Sequence, residues 1–244
     1  LQHIENEPDE TFDDAARVAR KISVETWLGL SRDIRIFAVG PRLDWIQPRL
    51  HQRLPTLPGA DKRPLRYSLG MGRGWGHADH IQRRLEGGVF PILRGTLVDD
   101  EVTYDYTAFV SWESQPLTAA TVHGTHYLVA DGYSGGHMFT KEQQARFEAL
   151  EPAEMNQAEE TVLYIRINAV NTAPVARYAY FKSPVPEARP RAQFTLDGAN
   201  GFGAFKDGQV FATLKLNGEP LGAEEPAVLL APGETATFDV FVPN

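Results

Sequence analysis

The chain has 244 residues, 42% of them apolar, a formal net charge of −8 and no cysteine. That composition supplies a sizeable core and excludes disulfides, thiolate metal sites and a cysteine nucleophile. The acidic balance argues against general nucleic-acid binding, which needs a basic footprint, and no apolar run approaches the roughly 18 residues of a membrane helix.

The chain opens on Leu1 and shows no charged-then-apolar leader, as expected of a processed product or a piece of a longer protein. Residues 1–19 read as an acidic arm, with Glu5, Glu7, Asp9, Glu10, Asp13 and Asp14, closing in a short amphipathic helix from Phe12 to about Arg20. Residues 20–244 read as one mainly β domain. Ile22–Leu28 and Ile34–Val39 alternate and are rich in β-branched residues, which predicts strands. Pro41, Pro48, Pro55, Pro58 and Pro64 make 41–64 a long loop.

Val89–Val98 and a return from Val102 to Trp112 predict a hairpin about Asp99-Asp100. Val102, Tyr104, Tyr106, Ala108, Val110 and Trp112 share one face. Thr103, Asp105, Thr107 and Ser111 share the other, with Phe109 as the exception. Val122–Ala130 predicts a further strand, interrupted by Gly124. Thr140 and Gln143 form a capping box for a helix that Pro152 ends.

Beyond residue 161 the pattern is all β. Leu163, Ile165, Ile167 and Ala169 alternate, Asn171–Pro174 turns, and Val175–Lys182 returns. Pro184, Pro186 and Pro190 mark a loop, and Asp207-Gly208 and Asn217-Gly218 are hairpin turns. The last strand buries Ala236, Phe238, Val240 and Val242. Strand–helix–strand alternation is absent. The expected fold is therefore an antiparallel two-sheet (super-)β-sandwich with one or two short helices.

Few segments carry chemistry. Gly132-Tyr-Ser134-Gly-Gly136 matches a nucleophile elbow, but no histidine follows His137 to act as base, so it reads as a glycine-rich turn. The segment from Gly70 to Gly76 alternates glycine with larger residues and lacks the Lys-Ser/Thr ending of a phosphate loop. It reads as a flexible loop. If extended, it has one bare face and carries Met71, Arg73, Trp75 and His77 on the other, open to a ligand or another domain.

His77-x-x-His80 and His123-x-x-His126, with His137 nearby, would chelate a metal only on a helix. Gly76 and Gly124 argue against helices there, so they read as ordinary polar histidines. Glu86, Asp99, Asp100, Glu101, Asp105 and Glu113 surround the hairpin, but a glycosidase pair needs a fixed carboxylate separation that spacing along a chain does not give.

Residues 32–94 hold eleven Arg and one Lys against five acids, and 95–161 are strongly acidic. The two stretches pair across the surface or form a groove for an acidic sugar. Of the aromatics Trp45, Trp75, Trp112, Tyr127 and Tyr133, Trp112 belongs to the core, whereas Trp75 and Tyr133 lie between glycines and suit stacking on a sugar. The expected sugar contacts are Arg73, Trp75, His77, His80, Tyr133 and His137, with no catalytic residue, metal or cofactor.

Three stretches carry a family likeness: Arg84–Val110, Thr161–Pro174 and Leu229–Val242. Together they resemble the N-terminal β-sandwich region of bacterial proteins of the six-hairpin glycosidase type, the glucoamylase-like and rhamnosidase-like enzymes, over roughly residues 20–243. The resemblance implies an accessory domain, inactive alone, set before a helical barrel that supplies the catalytic carboxylates. No catalytic residue carries over to this chain. The implied partners are an oligo- or polysaccharide and that helical catalytic domain, with neither nucleic acid nor membrane, in a secreted or periplasmic setting. Two alternatives stand beside it. One is a free-standing sugar-binding module using Trp75 and Tyr133. The other is a mutarotase-like enzyme in which His77, His80, His123, His126 or His137 converge with an acid.

Overall fold

A computed structural model of the chain describes residues 11, 14, 24–30, 33–50, 54–58, 63–74, 81–122, 139–155, 158–187 and 194–244. In chain order the strands are β1 (Thr26–Gly29), β2 (Arg35–Val39), β3 (Trp45–Leu50), β4 (Tyr67–Met71), β5 (Gln82–Glu86), β6 (Phe90–Asp99) and β7 (Val102–Trp112). The helix α1 (Lys141–Met155) follows, then β8 (Thr161–Asn171), β9 (Arg177–Pro186), β10 (Phe194–Asp197), β11 (Phe202–Phe205) and β12 (Val210–Leu216). The last three are β13 (Glu219–Pro220), β14 (Ala227–Leu230) and β15 (Thr235–Pro243). The smaller, six-stranded sheet has the order β1-β2-β3-β4-β9-β14. The larger, nine-stranded sheet has the order β10-β11-β12-β15-β8-β7-β6-β5, with β13 beside β12. Every pairing is antiparallel, as the sequence predicts. Among the described residues no helix is long and apolar enough to cross a membrane.

The two sheets face each other across one continuous apolar cluster running from Leu28 to Val242. Tyr67 of the smaller sheet stacks on Phe211 of the larger, ring centroids 5.4 Å apart. Phe181 lies 5.0 Å from Phe238 and meets Tyr104 edge-on at 6.0 Å. Side-chain alternation puts these rings inside: Val102, Tyr104, Tyr106, Ala108, Val110 and Trp112 are all buried, as are the alternate residues of β8 and β15. Along one flank Arg83 of β5 donates to the Thr26 hydroxyl (2.7 Å) and to the Val24 carbonyl, lacing the edge strands β5 and β1 together.

Turn chemistry follows the sequence. The β6–β7 turn places both Asp100 (φ 49°) and Glu101 (φ 65°) in the left-handed region, the backbone of a two-residue turn that suits strand twist. Asn217 and Gly218 (φ 52° and 88°) do the same between β12 and β13. At α1 the Thr140 N–H donates to Gln143 Oε1 (2.9 Å) and the Gln143 N–H to Thr140 Oγ1 (3.3 Å), completing the capping box.

Three expectations need correction. The helix runs through Pro152 to Met155 rather than stopping at the proline. The stretch 41–64 is not one loop, because β3 lies inside it and includes Pro48. β4 pairs with β3 only at Trp45 and Ile46, so Pro48 lies beyond that pairing and lacks only an N–H that no β4 partner requires. Pro184 and Pro186 lie within β9: Pro186 stands opposite Tyr67, and Pro184 falls where the register slips by one residue opposite β4 between Ser68 and Gly70, a bulge that tolerates a missing donor. Most of the helix expected at Phe12–Arg20, residues Ile22 and Ser23 of the first expected strand, the strand expected beyond Val122 and Pro190 lie outside the described residues.

Two core tyrosines separate hydrogen bonding from burial. The Tyr104 hydroxyl accepts the Tyr180 N–H at 2.9 Å, and burial pushes its pKa up to about 12. The Tyr106 hydroxyl is buried with no partner among the described residues, and burial raises its pKa still further. Tyr104→Phe is expected to cost about 1–2 kcal/mol, because it orphans a buried N–H, while Tyr106→Phe is expected to be neutral or stabilising. Denaturant midpoints of the two variants provide the check, and equal losses would contradict this assignment.

Candidate functional site

The described part of the expected sugar site is the glycine-rich turn after β4. The strand ends at Met71, and Gly72 (φ 76°) and Gly74 (φ 109°) turn the chain in a conformation that favours glycine. Gly72 is also required by space, since a Cβ would stand 2.9 Å from Asp99 Oδ2 and 3.0 Å from Leu97 Cδ2. Its N–H donates to the Tyr180 carbonyl at 2.9 Å.

Arg73 follows and is clamped. Its N–H donates to Asp99 Oδ2 (2.6 Å), its Nε and Nη2 donate to Asp99 Oδ1 (3.1 and 3.0 Å), and Nη1 lies 3.3 Å from Asp100 Oδ2. Asp99 is buried at the inner end of β6, and its hydrogen bonds hold the Arg73 guanidinium above its ordinary pKa. The clamp ties the glycine turn to the β6–β7 turn and, through Gly72, to Tyr180 of β9. Tyr178 lies on the same face of β9, its ring 6.1 Å from that of Tyr180, and it pairs across the strands with Leu229 of β14. Asp99 holds a permanent cation, so the clamp fixes the glycine turn against the β6–β7 turn.

Compared with known proteins, the chain matches no family model, no curated protein and no solved structure.

Of the sugar contacts expected from sequence, Arg73 lies in this clamp. Trp75, His77, His80, Tyr133 and His137 lie outside the described residues, as do His123, His126 and the turn around Ser134. Among the described residues no group of three His, Asp or Glu is placed to hold a metal ion.

Of the other tryptophans, Trp27 is 48% exposed with Arg49 4.6 Å over one face of its ring, whereas the rings of Trp112 and Trp45 are covered. Trp112 is buried, as expected, with the Arg35 guanidinium 5.4 Å from its centroid. Trp45 lies with its indole against Gly40, where a Cβ would stand 2.5 Å from Nε1, and Arg66 sits 4.2 Å over the ring. Neither face of Trp45 is open to a sugar, so that stacking candidate is withdrawn. Four of the six hairpin acids are engaged by arginines: Glu86 with Arg94, Asp99 and Asp100 with Arg73, and Glu101 with Arg177. The Arg73 pairs join the basic stretch to the acidic one.

Sequence reading missed Tyr180 and the clamp. One signal was available: Asp99 shares the inward parity of Leu93 and Leu97, and a buried carboxylate requires a partner.

Asp44, in the turn between β2 and β3, adds a pH dependence. Its Oδ1 is buried with no hydrogen-bond partner among the described residues, and the neighbouring Leu43 is held at φ 56°. Burial raises the carboxyl pKa above its ordinary 3.8, against the opposing pull of its own backbone, Arg42 and Arg66. Just above 3.8 the folded state therefore holds more proton than the unfolded chain, so stability falls as pH rises through that window. Asp44→Asn is expected to remove that fall, read as denaturant midpoints on both sides of it. An unchanged pH profile would count against the assignment.

Proposed function

We propose that this chain is an accessory β-sandwich of a carbohydrate-active enzyme, inactive alone, that packs against a separate helical catalytic domain. The observation that carries this reading is apolar surface left on the sandwich where solvent would otherwise be. Tyr178 is 52% exposed beside Leu229 at 54%, and Val89 and Phe90 are 76% and 58% exposed at the β5–β6 turn. Contiguous apolar side chains on a surface mark an interaction site, and burying each one fully stabilises a contact by about 1.5–3 kcal/mol. The order of the three stretches that resemble six-hairpin glycosidases supports the identity of the partner.

The test is hydrolysis of glucan and rhamnoside oligosaccharides by the natural gene product and, separately, by this chain. Turnover by the natural product and none by the chain is expected. Turnover by the isolated chain would overturn the reading.

A further inference from the structure

The outward face of the larger sheet carries two neighbouring rows that run across the strands. In the first, Phe109 of β7 pairs with Tyr164 of β8, and Tyr164 with Phe241 of β15. Phe109 and Tyr164 are stacked with centroids 5.3 Å apart, and Phe241 meets Tyr164 edge-on at 5.4 Å. Phe109 is 40% exposed although it faces away from the core.

The second row lies two residues along the same strands. Its register reads Arg94, Thr107, Arg166, Asp239 and Lys215, on β6, β7, β8, β15 and β12. It holds three cations and one acid in a protein of net charge −8, with Glu86 of β5 paired to Arg94 as a second acid beside it. The acid lies beneath its cation: Arg166 grips Asp239 through Nε (2.7 Å) and Nη2 (3.1 Å), with the Arg166 side chain 60% exposed and that of Asp239 11%. Arg94 is oriented by Glu86 and by the Thr107 hydroxyl (2.5 Å). One row further on, Asp105 accepts from Thr96 at 3.3 Å.

We infer that this face binds an anionic glycan, a polysaccharide whose sugars carry carboxylates, lying across the strands. Aromatic edges and faces provide apolar contact for sugar carbons, and the adjoining cations meet the carboxylates. The cations stand on every second strand, about 10 Å apart by the spacing of strands in a sheet. That interval is comparable to the length of a disaccharide, so a polyuronate would present every second carboxylate in step with the cations. The inference rests on the carbohydrate part of the proposed function and not on the helical partner.

The probes are oligogalacturonate and alginate oligomers, with neutral maltooligosaccharides for comparison, titrated into this chain at low and high salt. Binding of the acidic oligomers that weakens with salt is expected, because exposed charges are screened. Phe109→Ser is expected to weaken it roughly three- to tenfold, and Lys215→Gln by a smaller factor that vanishes at high salt. Val175→Ser, exposed between β8 and β9, leaves it unchanged. Lys215 and Phe109 are exposed, so both variants fold even if Arg166→Gln, which strips the partner from Asp239, does not.

Equal, salt-insensitive binding of neutral oligomers overturns the charge assignment. Acidic-oligomer binding that survives Phe109→Ser and Lys215→Gln overturns this face while leaving the carbohydrate reading intact. Binding of no glycan overturns the inference, and self-association lost in Phe109→Ser would assign the face to a second copy of the chain.

Discussion

Replacing Asp33 with alanine is expected to cost the fold about 3–5 kcal/mol, because it strands a buried guanidinium. Asp33 and Arg35 are both buried. Asp33 Oδ1 accepts from the Arg35 N–H (2.8 Å) and Nε (3.1 Å), and Oδ2 accepts from Arg35 Nη2 (2.8 Å) and the Thr161 hydroxyl (3.2 Å). Arg35 Nη1 donates in turn to the Glu159 carbonyl at 2.5 Å. The same corner holds Asn244, whose N–H donates to the Thr161 carbonyl (2.9 Å) and whose side chain donates to the carbonyls of Ile36 (3.0 Å) and Arg49 (3.1 Å). The network thus joins the start of β2 to the start of β8 and the end of β15, where the two sheets meet. Equilibrium denaturation measures the loss. The double variant Asp33→Leu/Arg35→Met is expected to lose less than Asp33→Ala, since it removes both charges. A single-variant loss below about 1 kcal/mol would show that the corner is not a structural joint.

The second large effect is expected at Phe238. It is fully buried on β15, and its ring packs 5.0 Å from Phe181 across the sheets. Phe238→Ala is expected to cost about 3–5 kcal/mol, from the lost transfer energy and the cavity left behind. Phe238→Leu keeps most of the volume and is expected to cost much less. If the two variants were equally damaging, the loss would come from something other than the cavity.

Much of the fold was legible because strands with one buried face have a strict period. Tyr104, Tyr106, Leu163, Ile165, Phe238 and Val240 could be assigned inward from alternation alone, and each is buried. Prolines misled. Pro48 and Pro184 read as loop, yet each lies in a strand at a place where pairing does not require its missing N–H. That depends on which neighbour a strand has across the sheet, which a local pattern does not carry. Phe109 stood out as an apolar residue on the polar side of β7. Its explanation is Tyr164, distant in sequence and adjacent in register. Arg73 was singled out for its place among glycines, but its partner Asp99 came from the fold.

As proposed, this sandwich serves a catalytic domain outside itself. The most direct measurement is the intact mass of the natural gene product, set beside that of this chain, with circular dichroism of the larger species. A product much larger than this chain, with a predominantly helical region after Asn244, is expected. A natural product that ends at Asn244 would contradict it.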